Sequence, residues 1–153
     1  MKRKAVIICG FPGIGKTSLI NNNDFSYLKI KDLDSSHFNK EHFPNNYVDE
    51  IEKKAKNYDI VLVSTHESVR QELFLRRIHY YVVYPQLDRK LEYKVRYMNR
   101  GSSDYSINFI MDKWSNMIGS CAFDWAHSKN LISLGEEEYL SDVLENILKK
   151  DNK

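Results

Sequence analysis

The residues that most clearly carry chemistry in this sequence form one short segment, Gly10-Phe11-Pro12-Gly13-Ile14-Gly15-Lys16-Thr17-Ser18. The segment fits the spacing G-x-x-x-x-G-K-[ST], whose four fixed positions rarely coincide by chance in a chain of 153 residues. Glycines let the backbone turn so that successive N–H groups face inward and bind an anion. In this pattern the lysine reaches phosphate oxygens and the Thr17 hydroxyl is a ligand for Mg²⁺. The segment therefore predicts a triphosphate-binding loop.

The elements around this loop have the order that such a loop requires. Five short apolar runs, rich in β-branched and aromatic residues, predict strands that are buried on both faces of a parallel sheet: Ala5–Cys9, Tyr27–Ile30, Ile60–Ser64, Tyr80–Tyr84 and Leu131–Leu134. Segments with helical spacing lie between the runs, and the first helix is expected to begin at about Lys16. Strands that alternate with helices predict an α/β fold of three layers, with helices on both faces of the sheet.

Two of the predicted helices have distinct patterns. Apolar residues form one unbroken stripe from Ile107 to Cys121, which predicts the buried face of a single helix. The last predicted helix contains the apolar residues Leu140 to Leu148. Its start is acidic, at Glu136–Glu138, and its end is basic, at Lys149 and Lys150, as the helix dipole favours.

Composition excludes several classes of protein. With 42% hydrophobic residues and no linker-like tract, residues 1–153 are expected to form a single domain. Lys and Arg total 23 against 21 Asp and Glu, and a net charge of +2 does not favour nucleic acid as a partner. No apolar run reaches the length of a membrane span, and the run after Met1–Lys4 is too short for a signal peptide. Because Cys9 and Cys121 also form no disulfide framework, a cytoplasmic protein without a membrane partner is expected.

The loop predicts a nucleotide but not a reaction. Switch GTPases need the strings Asp-x-x-Gly and Asn-Lys-x-Asp, and neither occurs in this sequence. Mechanical ATPases place an acidic residue at the end of an apolar strand. The best apolar run, Asp59–Ser64, has its aspartate at the beginning instead. Both classes are therefore disfavoured.

With proline as its third residue, the loop resembles that of the P-loop kinases of small molecules, above all nucleoside monophosphate kinases of the adenylate kinase type. The resemblance is specific over Ala5–Ser18 and extends over nearly the whole chain as an order of elements. It implies the strand order 2-3-1-4-5, ATP and Mg²⁺ as cofactors, and a nucleotide as acceptor. The residues that it implies for ATP binding are Gly10, Pro12, Gly13, Ile14, Gly15, Lys16, Thr17, Ser18 and Gly135, the last as a backbone contact to adenine.

A pair of arginines follows the fourth predicted strand. Arg96 and Arg100 are four residues apart in the predicted helix Leu87–Arg100, which Gly101 would end. Adenylate kinases carry a similar pair at the entrance to their lid, so the resemblance implies catalytic roles for both arginines and a short lid at about 96–106. Charges at this spacing are also typical of a solvated helix face, and both interpretations remain open.

Candidates for the acceptor site follow the second and third strands. Asp34 could accept the proton of an attacking hydroxyl or bind Mg²⁺ through water. Together with Ser35 it lies where related kinases begin their acceptor-binding segment, although both residues are also good helix caps. His66 and Arg70 are further substrate-binding candidates, although His66 could equally be a structural histidine. Adenylate kinases carry an arginine after this strand that grips the acceptor phosphate, and Arg70 lies somewhat later, one or two turns into the predicted helix. The Asp-Gly-Phe-Pro stretch that precedes that arginine is missing here.

Three functions are compatible with these residues. The preferred hypothesis is an ATP-dependent phosphotransferase that transfers the γ-phosphate to a nucleoside or deoxynucleoside monophosphate. The alternative is a kinase of a hydroxyl acceptor, such as a polynucleotide 5′ end or a sugar, with Asp34 as the base. The third is a non-catalytic binding protein that responds to ATP, which the missing strand-end carboxylate motivates.

Overall fold

A five-stranded parallel sheet organises the fold, in a computed structural model that describes residues 4–152. The strands are β1 (Val6–Gly10), β2 (Ile30–Asp32), β3 (Ile60–Val63), β4 (Tyr81–Pro85) and β5 (Leu131–Leu134). Their order across the sheet is β2-β3-β1-β4-β5, and all neighbours run parallel. This confirms the α/β class that the alternating pattern predicted and the strand order that the resemblance implied.

Helices connect the strands and flank the sheet. Among residues 4–152 they are α1 (Lys16–Ile20), α2 (Asn45–Lys54), α3 (Glu67–Leu75), α4 (Lys90–Asn99), α5 (Asp104–Asp112), α6 (Trp114–Ala122) and α7 (Leu140–Asp151). In α2, for example, Tyr47, Val48 and Ile51 are fully buried because they lie on one face of the helix. None of the described helices combines the length and apolarity that crossing a bilayer requires.

The central strand determines where a site can form. Cys9 of β1 lies opposite Val63 of β3 on one side and opposite Val82 of β4 on the other. All residues of these three strands are buried, which explains their unbroken apolar sequences. Because parallel strands end at the same edge of a sheet, the segments that follow β1, β2 and β3 meet there.

The second strand lies further along the chain than the predicted run Tyr27–Ile30. It begins at Ile30 and pairs only with β3, while the side chain of Tyr27 is 71% exposed. The carboxylate of Asp59 accepts a hydrogen bond from Lys29 N at 2.7 Å, which anchors the chain just before the strand. An edge strand is covered less completely than a central one, so its polar sequence gave no apolar signal.

The apolar stripe Ile107–Cys121 belongs to two helices instead of the single predicted one. The backbone leaves helical geometry at Lys113 (φ −102°, ψ 8°), between α5 and α6. The bend accompanies the burial of Trp114, whose indole is 1% exposed and whose Nε1 donates to Leu87 O at 2.8 Å. The predicted burial is confirmed for five residues of the stripe, Ile107, Met111, Trp114, Ile118 and Cys121, but the prediction of one continuous helix was wrong.

The last helix begins later than its acidic residues suggested. Glu136–Glu138 lie in the turn between β5 and α7, and the first turn of α7 carries Asp142 as its acidic residue. Lys149 and Lys150 occupy the last turn, as predicted, where they interact favourably with the helix dipole. The turn before α7 packs against the segment that follows β1.

Candidate functional site

The segment Gly10–Ser18, here called the glycine loop, connects β1 to α1 at the carboxyl edge of the sheet. Its conformation requires glycine at two positions, because Gly13 and Gly15 have φ angles of 91° and 96°. A Cβ atom on Gly13 would also lie 2.8 Å from Tyr97 Cε1. The strand, loop and helix therefore occur in the order that the sequence predicted. The side chain of Tyr97, from the distant helix α4, packs against the loop.

The glycine loop offers backbone donors. Within the described residues 4–152, the N–H groups of Gly13 and Gly15 donate to no protein acceptor. The first N–H groups of α1 lack partners within the helix, as at every helix start. Because α1 has only five residues, its dipole adds little, and the local N–H groups supply most of the attraction for an anion.

Lys16 places a positive charge beside these donors. Its Nζ donates to Gly10 O at 2.9 Å, so the side chain folds back across the loop. Burial lowers the pKa of Lys16, and the nearby carboxylate of Asp32 counteracts this shift by favouring the charged form. The ammonium group therefore lies between the loop and an acidic wall.

A cleft of about 840 Å³ opens in front of the glycine loop and is called the first cleft. Loop residues form one wall, and the end of β2 with the residues after it forms another. Ser64 after β3, three residues at or directly after the end of α4, and Tyr139 before α7 complete the cleft. The lining residues are Pro12, Gly13, Gly15, Lys16, Thr17, Ser18, Asp32, Leu33, Asp34, Ser35, Ser64, Arg96, Asn99, Arg100 and Tyr139. The structure thus brings together the loop, Asp34, Ser35 and both arginines that the sequence singled out.

Asp34 stabilises a turn instead of a helix, since no helix begins before Asn45 in this part of the chain. Its Oδ1 accepts from Ser36 N at 2.9 Å, and its Oδ2 accepts from Ser36 Oγ at 2.8 Å. These hydrogen bonds, the backbone one first, lower the pKa of Asp34. The carboxylate is thereby held ionised and oriented at the wall of the first cleft.

Asp32 is a second carboxylate of the first cleft, and it was not among the predicted site residues. It is the last residue of β2 and lies opposite Leu62 in the sheet. The predicted strand ended two residues earlier, at Ile30, so Asp32 was not recognised as a residue at the carboxyl end of a strand. The alternation Asp-Leu-Asp at residues 32–34 was the signal that could have identified it.

A second cleft, of about 550 Å³, adjoins the first. Four residues line both clefts, namely Pro12, Lys16, Ser35 and Ser64. The other walls come from the segment 64–70, from Phe109 of α5, from Lys113 between α5 and α6, and from Asn116 and Met117 of α6. The Nζ of Lys113 lies 5.6 Å from the centroid of the Phe109 ring. Lys113 and Phe109 were not predicted as site residues, because a charged and an aromatic residue at helical spacing are typical of ordinary helix surfaces.

His66 lies in the second cleft, as a residue near the end of β3 should. Its ring contacts Phe43 edge to face, with 5.7 Å between the centroids. Partial burial lowers the pKa of His66, and the positive charges of Arg70 and Lys16 lower it further. Since the ordinary value is already below 7, the imidazole is neutral at neutral pH and can donate or accept a hydrogen bond.

Arg70 lines the second cleft but is only 2% exposed. Its Nη1 donates to Asp124 Oδ1 at 2.6 Å, and its Nη2 donates to Ser120 Oγ at 2.6 Å. Its Nε donates to Thr65 O at 3.0 Å. The guanidinium is thus engaged by protein acceptors, whereas the resemblance implied a ligand of the acceptor phosphate. A sequence pattern could not reveal this, because Asp124 is distant along the chain.

Arg96 of α4 and Arg100, which follows this helix directly, have different surroundings. Arg96 donates to Gly13 O and Glu138 O, both at 2.9 Å, and to Glu92 Oε2 at 2.6 Å. Arg100 is exposed, and its Nε donates to Ser102 Oγ at 3.0 Å. Arg96 therefore holds the glycine loop in place, whereas Arg100 lines the first cleft, with its Cζ 4.9 Å from the centroid of the Tyr97 ring. Residues 100–103 connect α4 to α5, so the predicted lid at 96–106 is a short turn between helices.

Two predicted ATP-binding residues lie outside both clefts. Gly135 N donates to Glu138 Oε1 at 2.7 Å, so this N–H is engaged within its own turn. The side chain of Ile14 is fully buried, and its carbonyl accepts from Leu140 N at 2.8 Å. Ile14 therefore joins the glycine loop to the start of α7.

Comparisons with known proteins give information on the fold. No protein-family model matches the chain, and no curated protein matches it either. One solved structure that is similar to it is described as the crystal structure of an uncharacterized protein from Eubacterium ventriosum ATCC 27560. The match has a TM-score of 0.50 and 13% sequence identity, and it covers 98% of this chain and 99% of the other. At that identity, the likeness concerns the α/β fold alone.

Proposed function

We propose that the protein is an ATP-dependent phosphotransferase whose acceptor is a nucleoside or deoxynucleoside monophosphate. One observation carries the proposal: Lys16 lines both clefts, so a single ammonium group can face a ligand in each of them. Phosphoryl transfer spreads negative charge over the moving group, and proteins catalyse it mainly by positioning the reactants and placing positive charge beside them. Both cleft volumes are within the range typical of small-molecule sites.

In this proposal the first cleft binds ATP. The unpaired N–H groups of Gly13 and Gly15 would donate to phosphate oxygens, and Lys16 would exchange the Gly10 carbonyl for the β- and γ-phosphates. Arg96 keeps these donors in position, because it holds the carbonyl of Gly13. Arg100, which lines the same cleft, would neutralise charge on the group being transferred.

The donor set of the first cleft fits Mg²⁺. Thr17 supplies a hydroxyl group, and Asp32 and Asp34 supply carboxylates on the same cleft. Oxygen atoms of these kinds are the ligands that Mg²⁺ prefers. When bound, the ion would neutralise charge on the β- and γ-phosphate oxygens. Asp32 also provides a strand-end carboxylate, at the end of β2 instead of β3.

The second cleft binds the acceptor in this proposal. Lys113 would attract its phosphate from one side while Lys16 faces it from the other. Phe109 offers an aromatic surface to the base, and neutral His66 offers a hydrogen bond. Arg70 would contribute indirectly, since its Nε holds the carbonyl of Thr65 in the cleft wall.

A hydroxyl acceptor is the second candidate, and the paired carboxylates favour it. Asp32 and Asp34 line the cleft that contains Lys16, and Ser36 fixes the orientation of Asp34. An attacking hydroxyl must lose its proton, which an oriented carboxylate can accept. A phosphate acceptor needs no such base, because its oxygen is already anionic near neutral pH.

Release of ADP from ATP and Mg²⁺ tests the proposal, with each common nucleoside and deoxynucleoside monophosphate as acceptor. Separate arms contain a 5′-hydroxyl oligonucleotide and free sugars. We expect monophosphates to stimulate release in the wild type but not in Lys16→Ala. Asp34→Asn should reduce transfer to a hydroxyl at least about 100-fold, while transfer to a monophosphate falls much less.

Two outcomes would overturn the proposal. Stimulation by a hydroxyl compound alone would assign the second candidate. ATP binding without stimulation by any acceptor would leave the protein as an ATP-responsive binding protein and not a phosphotransferase.

A further inference from the structure

Tyr139 has an unusual position beside the glycine loop. It precedes α7, and its backbone N donates to Asp142 Oδ2 at 2.7 Å. The next residue, Leu140, donates from its N to Ile14 O at 2.8 Å, which joins this turn directly to the loop. A Cβ atom on Gly15 would lie only 3.0 Å from Tyr139 Cδ1. The tyrosine ring is therefore held against the wall from which the loop donors project.

Tyr139 is also the outer member of a stack of three planar groups. The Cζ atom of Arg96 lies 4.3 Å from the centroid of the Tyr93 ring and 3.9 Å from that of the Tyr139 ring. Tyr93 is fully buried, whereas Tyr139 is 40% exposed. The stack therefore has a buried end in the core and an exposed end at the first cleft.

Hydrogen bonds make this stack rigid. The guanidinium of Arg96 donates to Gly13 O, Glu138 O and Glu92 Oε2, and these three acceptors fix the plane of the group. A ring that rests on a fixed guanidinium loses little further freedom when another planar group stacks on it. Among the described residues that line the first cleft, Tyr139 is also the one aromatic side chain.

We propose that Tyr139 is the platform on which the base of the donor nucleotide stacks. This inference rests on the proposed function, since it assumes that the first cleft holds a nucleoside triphosphate. The phosphates would bind to the glycine loop, and the base would lie beyond the loop, along the wall formed by Gly15 and Tyr139. The opposite wall is acidic, with Asp32 and Asp34, and offers no aromatic surface.

The platform has a consequence for donor specificity. Stacking on a ring uses the face of a base and does not read its hydrogen-bonding edge. The nearby N–H of Gly135, which could have read an edge, already donates to Glu138 Oε1. The platform therefore favours nucleotides over bare polyphosphate and discriminates weakly between ATP and GTP.

Calorimetric titration with ATP and with inorganic tripolyphosphate, each with Mg²⁺, tests the proposal. In Tyr139→Ala we expect ATP affinity to fall by about 10-fold, within the range known for loss of a base-stacking ring. Tripolyphosphate affinity should remain unchanged, which also shows that the variant is folded with its loop intact. Tyr139→Phe keeps the ring and should retain wild-type ATP affinity. Tyr27→Ala, which removes a tyrosine that is 71% exposed and outside both clefts, is the matched control.

The outcomes separate the two proposals. An equal loss of affinity for both ligands in Tyr139→Ala would overturn the platform, because Tyr139 would then act only by supporting the loop. Unchanged ATP affinity in that variant would overturn it as well. A wild-type protein that binds neither ATP nor tripolyphosphate would instead overturn the proposed function.

Discussion

Arg70 Nη1 donates to Asp124 Oδ1 at 2.6 Å, and the two side chains are 2% and 0% exposed. The pair joins α3 to the turn after α6, across 54 positions of the sequence. The other oxygen of Asp124 accepts from the Tyr80 hydroxyl and from Ala126 N. This buried network, and not a ligand, satisfies the charge of Arg70.

Removing one partner of this pair should destabilise the fold. Arg70→Met leaves the Asp124 carboxylate buried without its counter-charge, and such a loss costs about 3–5 kcal/mol. Urea unfolding at neutral pH measures the change in free energy.

An exposed ion pair supplies the control for that experiment. Arg76 Nη1 contacts Asp49 Oδ1 at 2.7 Å, but the Asp49 side chain is 68% exposed. Asp49→Asn should therefore change the unfolding free energy by less than about 1 kcal/mol. Equal stability of Arg70→Met and the wild type would contradict the structural role of Arg70.

Glycine is required more strictly in the loop than after α4. Gly13→Ala should strain the backbone, because φ is 91°, and also force Cβ against Tyr97 Cε1. Gly101 has a φ of 78° but no atom within 4 Å of an added Cβ, so Gly101→Ala adds strain alone. We expect Gly13→Ala to cost at least about 1 kcal/mol more than Gly101→Ala. Thermal unfolding of the two variants side by side would reveal any reversal of this order.

Arg96 and Arg100 should differ in their effects on stability and turnover. Arg96→Met removes the donors to Gly13 O and Glu138 O and should cost about 1–3 kcal/mol of unfolding free energy. Arg100→Met should change stability by less than about 0.5 kcal/mol, because Arg100 is exposed. If the first cleft carries out phosphoryl transfer, Arg100→Met should lower kcat. A large loss of stability in Arg100→Met would show that its role is structural.

His66 should make stability depend on pH in the acidic range. Its pKa is lower in the folded protein than in the unfolded chain, so the unfolded chain binds the proton more tightly. Its contribution to stability is complete above about pH 6.5, the ordinary pKa of histidine, and is lost as the pH falls toward the folded pKa. The effect is small, because the ring keeps contact with solvent.

His66→Gln isolates this contribution, since glutamine does not titrate. The unfolding midpoint of the wild type should fall more between pH 7.5 and about pH 5 than that of the variant. A larger fall of the unfolding midpoint in the variant would contradict a lowered pKa of His66 in the folded protein.

Local sequence predicted the architecture because each central strand is an unbroken run of apolar residues. β1, β3 and β4 are buried on both faces, so their residues had to be apolar and unbroken. The glycine loop was equally visible, since its conformation permits few alternatives at Gly13 and Gly15. The edge strand β2 lacked this constraint, and its position was missed by three residues at its start, Tyr27 against Ile30.

The roles of charged residues were harder to predict, because their partners are distant in sequence. Arg70 and Arg96 look alike in a helical pattern as exposed cations. The structure pairs Arg70 with Asp124, and it encloses Arg96 between Tyr93 and Tyr139. Spacing along one helix carries no information about such partners.

The contacts on the glycine loop also determine when it can form during synthesis. Arg96 reaches Gly13 O across 83 positions of the sequence, and Leu140 reaches Ile14 O from further still. The loop leaves the ribosome before α4 and α7, and these contacts become available only after α4 and the start of α7 have emerged. A nascent chain therefore contains the complete glycine loop well before these contacts can fix the conformation of the loop.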